Sequence, residues 1–500
     1  MKRFLSLTVG GLLLSACMAP VRTATPVPAV PAMAPIAEGI GRVSVSIHWP
    51  ARNRQVQLIP FDASMARIEV FDASGSLQAS ASVSQASGQV QSSVEFDLPV
   101  GSSHYVQVDL DAPTVTRIAA GRSQDFAVRR NQVVSVPVVL EPIIKTFFGP
   151  ISAYSISGGT TASRGFARIY GVSVGPDGTV YFPDFSDNGV RAVGPDGVER
   201  VVVGQVTDTA TESQGTAATV ASDTSEEGGL ASQATARIPH GVLAAKNGDL
   251  FVADTLLTSP GVRIRLIPAT TGARFGSQRE AGHIYTLRKG LGSFAAVGML
   301  QDQDGALLYT EQAKNEIWRL APDGSASLFV GNATGSIGDG TLQADASLTG
   351  PWGLAMDALG NLVISEWRGF RIRMLCRASG TYFGLPMEAG RLYTIMDSVA
   401  VRDQYAMSVT PTPRQMAFDR RGDLYFVENL SNSVYRVAHT DGSVTRVAGG
   451  TQTITNSLQV GDDGVATSAS FQLPMGLAID GQNRLYVGDT NNGRIRWLFQ

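Results

Sequence analysis

The chain has 500 residues, with 40 Lys and Arg against 43 Asp and Glu, a formal net charge of −3. That balance offers no basic face of the kind nucleic-acid binding needs, so RNA and DNA are not expected partners. A hydrophobic content of 43% and 54 glycines suit several cores joined by many tight turns, and two cysteines, Cys17 and Cys376, are too few for a disulfide scaffold.

Met1-Lys2-Arg3 is basic, Phe4 to Leu14 is apolar but short for a bilayer span, and Leu14-Ser15-Ala16-Cys17 resembles a lipobox. The series predicts a lipoprotein signal peptide over residues 1–17, cleaved to leave Cys17 as a lipidated first residue. Each buried CH₂ of an acyl chain contributes about 0.8 kcal/mol, so several chains anchor the protein to the membrane. The expected location is the cell envelope, and the outer membrane where the cell has two, because Met18 and not Asp follows the cysteine. Residues 18–40 are rich in Pro, Ala, Val and Thr and read as a tether. Cys376, left without an intrachain partner, reads as a half-buried filler.

From 41 to 142 the apolar residues alternate with polar ones, as in Val43, Val45, Ile47 and Val94, Phe96, Leu98, with turn signals at Ser74-Gly75 and Pro99-Val100-Gly101. About seven short strands predict a small β-sandwich of immunoglobulin-like or prealbumin-like kind. Its lone histidines, His48 and His104, carry no motif.

Residues 143–500 contain six copies of one pattern. A Pro or its substitute stands at Ile169, Pro239, Ala296, Pro351, Pro413 and Pro474. Nine residues later comes Gly178, Gly248, Gly305, Gly360, Gly422 or Asn483, and fifteen residues after the start comes Asp184, Asp254, Glu311, Glu366, Glu428 or Asp489. Within each copy short apolar runs alternate with turns, which predicts four antiparallel strands per unit. Four-stranded units repeated at this period predict a six-bladed β-propeller. The run Leu473-Pro474-Met475-Gly476-Leu477-Ala478-Ile479-Asp480, followed by Arg484 to Arg496, resembles an NHL repeat, and the resemblance extends in weaker form over roughly residues 143–500. It implies a propeller fold and a binding role, and some similar propellers are lyases or lactonases that use a channel His or a divalent ion.

The sixth copy ends at its third strand. Ile143-Ile144-Lys145-Thr146-Phe147-Phe148-Gly149 is expected to supply its outer strand and fasten the ring, since an open blade edge invites aggregation. A carboxylate at the same place in every blade is expected to do the same structural job in each, accepting backbone N–H groups in a loop, and not to hold a metal. The residue after each Pro slot varies instead: Tyr170, His240, Val297, Trp352, Arg414 and Met475. These six are expected to rim the central channel and to bind a ligand there. The next slot is Gly171, Gly241, Gly298, Gly353 and Gly476, with Gln415 the exception, as backbone crowding requires. The leading expectation is a monomeric, non-catalytic envelope lipoprotein without cofactor, whose propeller binds a protein, peptide or glycan. The alternative is a propeller lyase or lactonase using His240, with a divalent ion. Should the rim only pack, the long linker Gln205–Arg237 is the next candidate.

Overall fold

A computed structural model of the protein describes residues 40–48, 64–84, 91–101, 103–112, 115–129, 133–136, 138, 141–148, 168–185, 188–204, 227–255, 261–292, 298–450 and 464–499. The signal peptide with Cys17, the tether before Ile40, Val297 and linker residues 205–226 lie outside the described residues.

Two sheets lie N-terminal to the repeats. One orders Gln91–Pro99, Ile40–His48 and Val133–Val136, the last pairing parallel to Ile40–His48. The other runs Leu77–Ser84, Met65–Asp72, Ser103–Ala112, Val115–Arg122 and Glu141–Pro142, with Phe126–Ala127 beside Ser103–Ala112. Alternation places Val43, Val45, Phe96 and Leu98 of the first sheet against Ile68, Val70, Val106 and Val108 of the second, in one buried core. His104 belongs to the second sheet, is buried, and lies against Phe126.

The repeats form antiparallel sheets, here called blades 1 to 6. Blade 1 is Ser173–Val174, Val180–Asp184, Gly189–Val193 and Glu199–Val203. Blade 2 is Gly241–Ala244, Leu250–Thr255, Val262–Ile267 and Tyr285–Leu291. Blade 3 is Met299–Gln301, Leu307–Glu311, Glu316–Leu320 and Ala326–Val330. Blade 4 is Pro351–Met356, Leu362–Glu366, Arg371–Leu375 and Arg391–Asp397, edged by Thr341–Leu342. Blade 5 is Pro413–Phe418, Leu424–Glu428, Ser433–Val437 and Val444–Gly449. Blade 6 takes Pro474–Ile479, Arg484–Asp489 and Arg494–Phe499, and its fourth strand is Lys145–Phe148, antiparallel to Arg494–Phe499. The first strand of each blade touches that of the next, and blade 6 touches blade 1, so the first strands surround a common axis. The fold is a β-propeller preceded by a β-sandwich.

Turn chemistry explains the recurrent Gly or Asn slot. In blade 4, Asp357 Oδ1 accepts the N–H groups of Leu359 and Asn361, both at 2.9 Å, and Gly360 has φ +87°. Asp302, Asp419 and Asp480 accept the corresponding N–H groups in blades 3, 5 and 6. Only a residue at ease with positive φ closes such a turn.

Crowding at the axis explains the Gly slot. A Cβ at Gly298 would collide with the Trp352 carbonyl, and one at Gly353 with that of Arg414. Gln415 escapes the rule by reaching out of its own blade. Its Oε1 accepts from Leu477 N at 3.0 Å in blade 6 and from Val172 N at 3.4 Å beside blade 1, and its Nε2 donates to Val172 O at 3.2 Å.

Two related hairpins tie neighbouring blades together. Gly272–Arg274 with Ser277–Arg279 leaves blade 2 and meets blade 3, where Gly276 N donates to Pro322 O. Gly380–Tyr382 with Leu385–Met387 does the same from blade 4 to blade 5, where Phe383 N donates to His439 O. The helix Ser398–Gln404, which the pattern reading did not anticipate, follows blade 4 and is capped by Asp397.

Candidate functional site

The blade carboxylates are buried, and each meets a different partner set. Four blades carry Arg on the third strand to meet them. Asp184 bonds Arg191 Nε at 2.7 Å, Asp254 bonds both Arg263 and Arg265, Glu366 bonds Arg371 and Arg373, and Asp489 lies 3.9 Å from Arg496. In blades 3 and 5 the position seven after the carboxylate is Trp318 or Tyr435. There Glu311 pairs with Lys314, and Glu428 accepts the N–H groups of Thr412, Leu430 and Ser431. Backbone N–H groups also reach Glu366 from Thr349 and Asp489 from Gln472. In blades 1, 2, 4 and 6 the carboxylate therefore ties the second strand to the third, and in blades 4, 5 and 6 it also holds the incoming linker. Burial raises Asp489 to about 6. Among the described residues no three His, Cys, Asp or Glu side chains converge to hold a metal ion.

The variable rim residues fall into two groups. Tyr170, His240 and Phe185 form an aromatic cluster, with ring centroids 5.5 to 6.1 Å apart and Arg168 over Phe185. His240 is 8% exposed, and burial pushes its pKa below the ordinary imidazole value, opposed by Asp254 and by a bond to the Ile238 backbone.

The second group spans blades 4 and 5. The Arg414 guanidinium crosses from blade 5 to lie 4.2 Å from the Trp352 ring centroid and 4.8 Å from that of Trp367. The two indoles meet edge to face, 6.2 Å apart. Arg414 is 7% exposed and donates from Nε to Asn429 Oδ1 at 3.2 Å, which Thr412 Oγ1 also approaches at 2.7 Å. Burial lowers its pKa to about 10, opposed by Glu428. Among the described residues Arg414 has no carboxylate within ion-pair distance. The Nε1 groups of Trp352 and Trp367 are covered and have no acceptor among the described residues. Cation–π contact of this kind stabilises by about 2 kcal/mol when desolvated. Met475 is half-buried at the start of the blade 6 inner strand and joins neither group.

Of the expected rim residues, Tyr170, Trp352 and Met475 are half-buried, while His240 and Arg414 are buried beneath neighbouring aromatic rings. Phe185, Trp367 and Asn429 were missed by the sequence reading. Each directly follows a blade carboxylate, a position that varies as the rim slot does: Phe185, Thr255, Gln312, Trp367, Asn429, Thr490. That variation was the available signal. Cys376 is fully buried, not half-buried, beside Met387 Sδ at 3.3 Å, and burial raises its pKa to about 11.

This architecture is that of a β-propeller carrying an NHL repeat, and the NHL repeat family matches residues 471–498. No curated protein sequence matches the chain. Solved structures that resemble it include an auxiliary nutrient binding protein from Bacteroides ovatus, 16% identical, covering 93% of this chain and 99% of that one with a TM-score of 0.46. A catalytically inactive virginiamycin B lyase from Staphylococcus aureus with quinupristin is 14% identical, covering 79% and 91%, with a TM-score of 0.38. A gluconolactonase from Xanthomonas campestris is 15% identical, covering 67% and 86%, with a TM-score of 0.40.

Proposed function

We propose that the chain is a cell-envelope lipoprotein, anchored through lipid on Cys17, whose propeller rim binds a protein, peptide or glycan without transforming it. The observation that carries this reading is the buried Arg414 stacked on two half-buried indoles. Trp and Arg in such desolvated clusters supply a disproportionate share of binding free energy, about 2 kcal/mol or more per residue. A buried cation held by rings and one amide oxygen, with no carboxylate within ion-pair distance among the described residues, is costly to keep in a fold unless something binds to it. The test is capture of envelope glycans and peptides from an immobilised panel. The Trp352→Ala, Arg414→Ala pair should lose the captured species while it stays folded by circular dichroism, with a melting temperature lowered by the few degrees that the lost cation–π contact implies. A double variant that captures the same species normally would sink the proposal. Anchoring has its own test: Cys17→Ala should move the protein out of the membrane fraction, and undiminished anchoring would contradict it.

A catalytic reading rests on His240, neutral at pH 7 and set between Tyr170 and Phe185. A neutral imidazole can accept a proton from a reacting group. The described residues do not fit a divalent ion there, so any such chemistry would rest on the imidazole itself. Turnover of a lactone or amide panel that disappears in His240→Ala would establish this reading over the first.

A further inference from the structure

At the boundary between blades 4 and 5 the Arg414 guanidinium lies over the rings of Trp352 and Trp367, and neither it nor either indole N–H has an anionic acceptor among the described residues. Among the described residues the one acceptor on the guanidinium is the neutral Asn429 Oδ1. Buried donors are ordinarily satisfied, and an exception points to a missing partner. Here the missing partner has to accept several hydrogen bonds and carry negative charge. Glu428 does not serve: its oxygens accept Thr412 N, Leu430 N and Ser431 N, and among the described residues it forms no ion pair with Arg414.

We infer that this cluster binds the carboxylate of a ligand, its oxygens accepting from Arg414 and from the two indole N–H groups. The inference deepens the binding reading above and rests on it. One guanidinium matches one carboxylate in charge, and the fork of N–H groups on Arg suits the two oxygens. A dianionic phosphate would be left with charge uncompensated, beside the buried Glu428. Both N–H groups are covered, so entry of a ligand requires the indoles to turn. Trp367 is half-buried past the strand end, next to the turn Arg368-Gly369-Phe370, so the rotation required of it displaces Arg368, whose guanidinium lies 4.8 Å over its ring. The corresponding position of blade 3 carries another covered donor without an acceptor, Gln312 Nε2.

The test titrates the full-length chain in detergent micelles with glucuronate and with N-acetylglutamate, following tryptophan fluorescence and calorimetry. Glucose, N-acetylglutaminamide (both carboxyls amidated, no charge), inorganic phosphate and sulfate are the comparison probes. The expected result is that at least one of the two acids binds tenfold or more tighter than its uncharged counterpart, with a change in indole emission. Glucuronate binding would place the carboxylate on an acidic sugar, and N-acetylglutamate binding on a peptide. Trp352→Phe and Trp367→Phe keep the ring and delete only the N–H, and each should weaken the acid about fivefold or more with the melting temperature unchanged. Arg414→Gln should abolish the preference for the acid. Equal binding of acid and uncharged probe, no binding of either acid, or tighter binding of phosphate or sulfate than of both acids would overturn the inference. If the Trp352→Ala, Arg414→Ala pair loses its captured species while neither acid binds wild type, the rim reading stands and the carboxylate assignment falls.

Discussion

At the scale of single residues, His240 couples charge to stability. Its folded-state pKa is lowered by burial, so the unfolded chain takes up the proton first as pH falls. Stability from the neutral form is complete above the ordinary value of about 6.5 and is lost as pH falls below it toward the folded-state value. Acidifying from pH 7.5 to 5.5 should therefore lower the melting temperature of wild type more than that of His240→Gln, and identical pH profiles would refute the argument. Cys376, with its pKa raised to about 11 and its side chain buried, should resist alkylation in the native protein and react only on unfolding. Rapid labelling of folded protein would contradict this. How much was legible at this scale differs between the two rings of variable residues. The slot after each Pro announced Trp352 and Arg414, because its variation stood out against a constant frame. The contact between them was not legible, since it joins different blades, and Trp367 entered only through the three-dimensional path of the loop after Glu366.

At the scale of elements, the paired hairpins make a sharp comparison available. Gly390 and Gly442 have nearly the same φ, +73° and +72°. A Cβ on Gly390 meets nothing within 4 Å, whereas one on Gly442 comes 2.8 Å from the Phe383 carbonyl of the neighbouring blade's hairpin. Both alanine substitutions carry the backbone penalty of about 1 kcal/mol or more, and Gly442→Ala adds the collision. Denaturant unfolding should show Gly442→Ala as clearly the less stable of the two, and equal midpoints would mean that the hairpin is not seated on blade 5. The strand periodicity and the Gly turns of these blades were readable because both follow from local chemistry. The parallel pairing of Ile40–His48 with Val133–Val136 and the helix Ser398–Gln404 were not. The first is a long-range choice among similar alternating strands, and the second is a short helix that packs Val401 into the blade 4 and 5 core without a long periodic face.

At the scale of the whole molecule, the ring depends on a strand drawn from far away in the sequence. Ile144 is fully buried among Tyr425, Val434, Val447 and Leu477, and Phe147 meets Tyr486 and Trp497. Ile144→Ala should cost about 2–5 kcal/mol, the usual range for emptying such a site. Removing residues 18–38 should leave the unfolding midpoint unchanged, and a comparable loss from both changes would undo the ring-closure argument. The closure was legible because a blade missing one strand and a strand missing its blade are complementary gaps. Its further consequence concerns time. Lys145 pairs with Trp497, so about 350 residues must be made between one partner and the other. At synthesis rates of 5–20 residues per second, roughly 20–70 s pass while the early strand waits with an open edge. Until Arg494–Phe499 is made no blade 6 exists for the early strand to join, so the synthesis of Arg494–Phe499 decides when the molecule first becomes a closed ring.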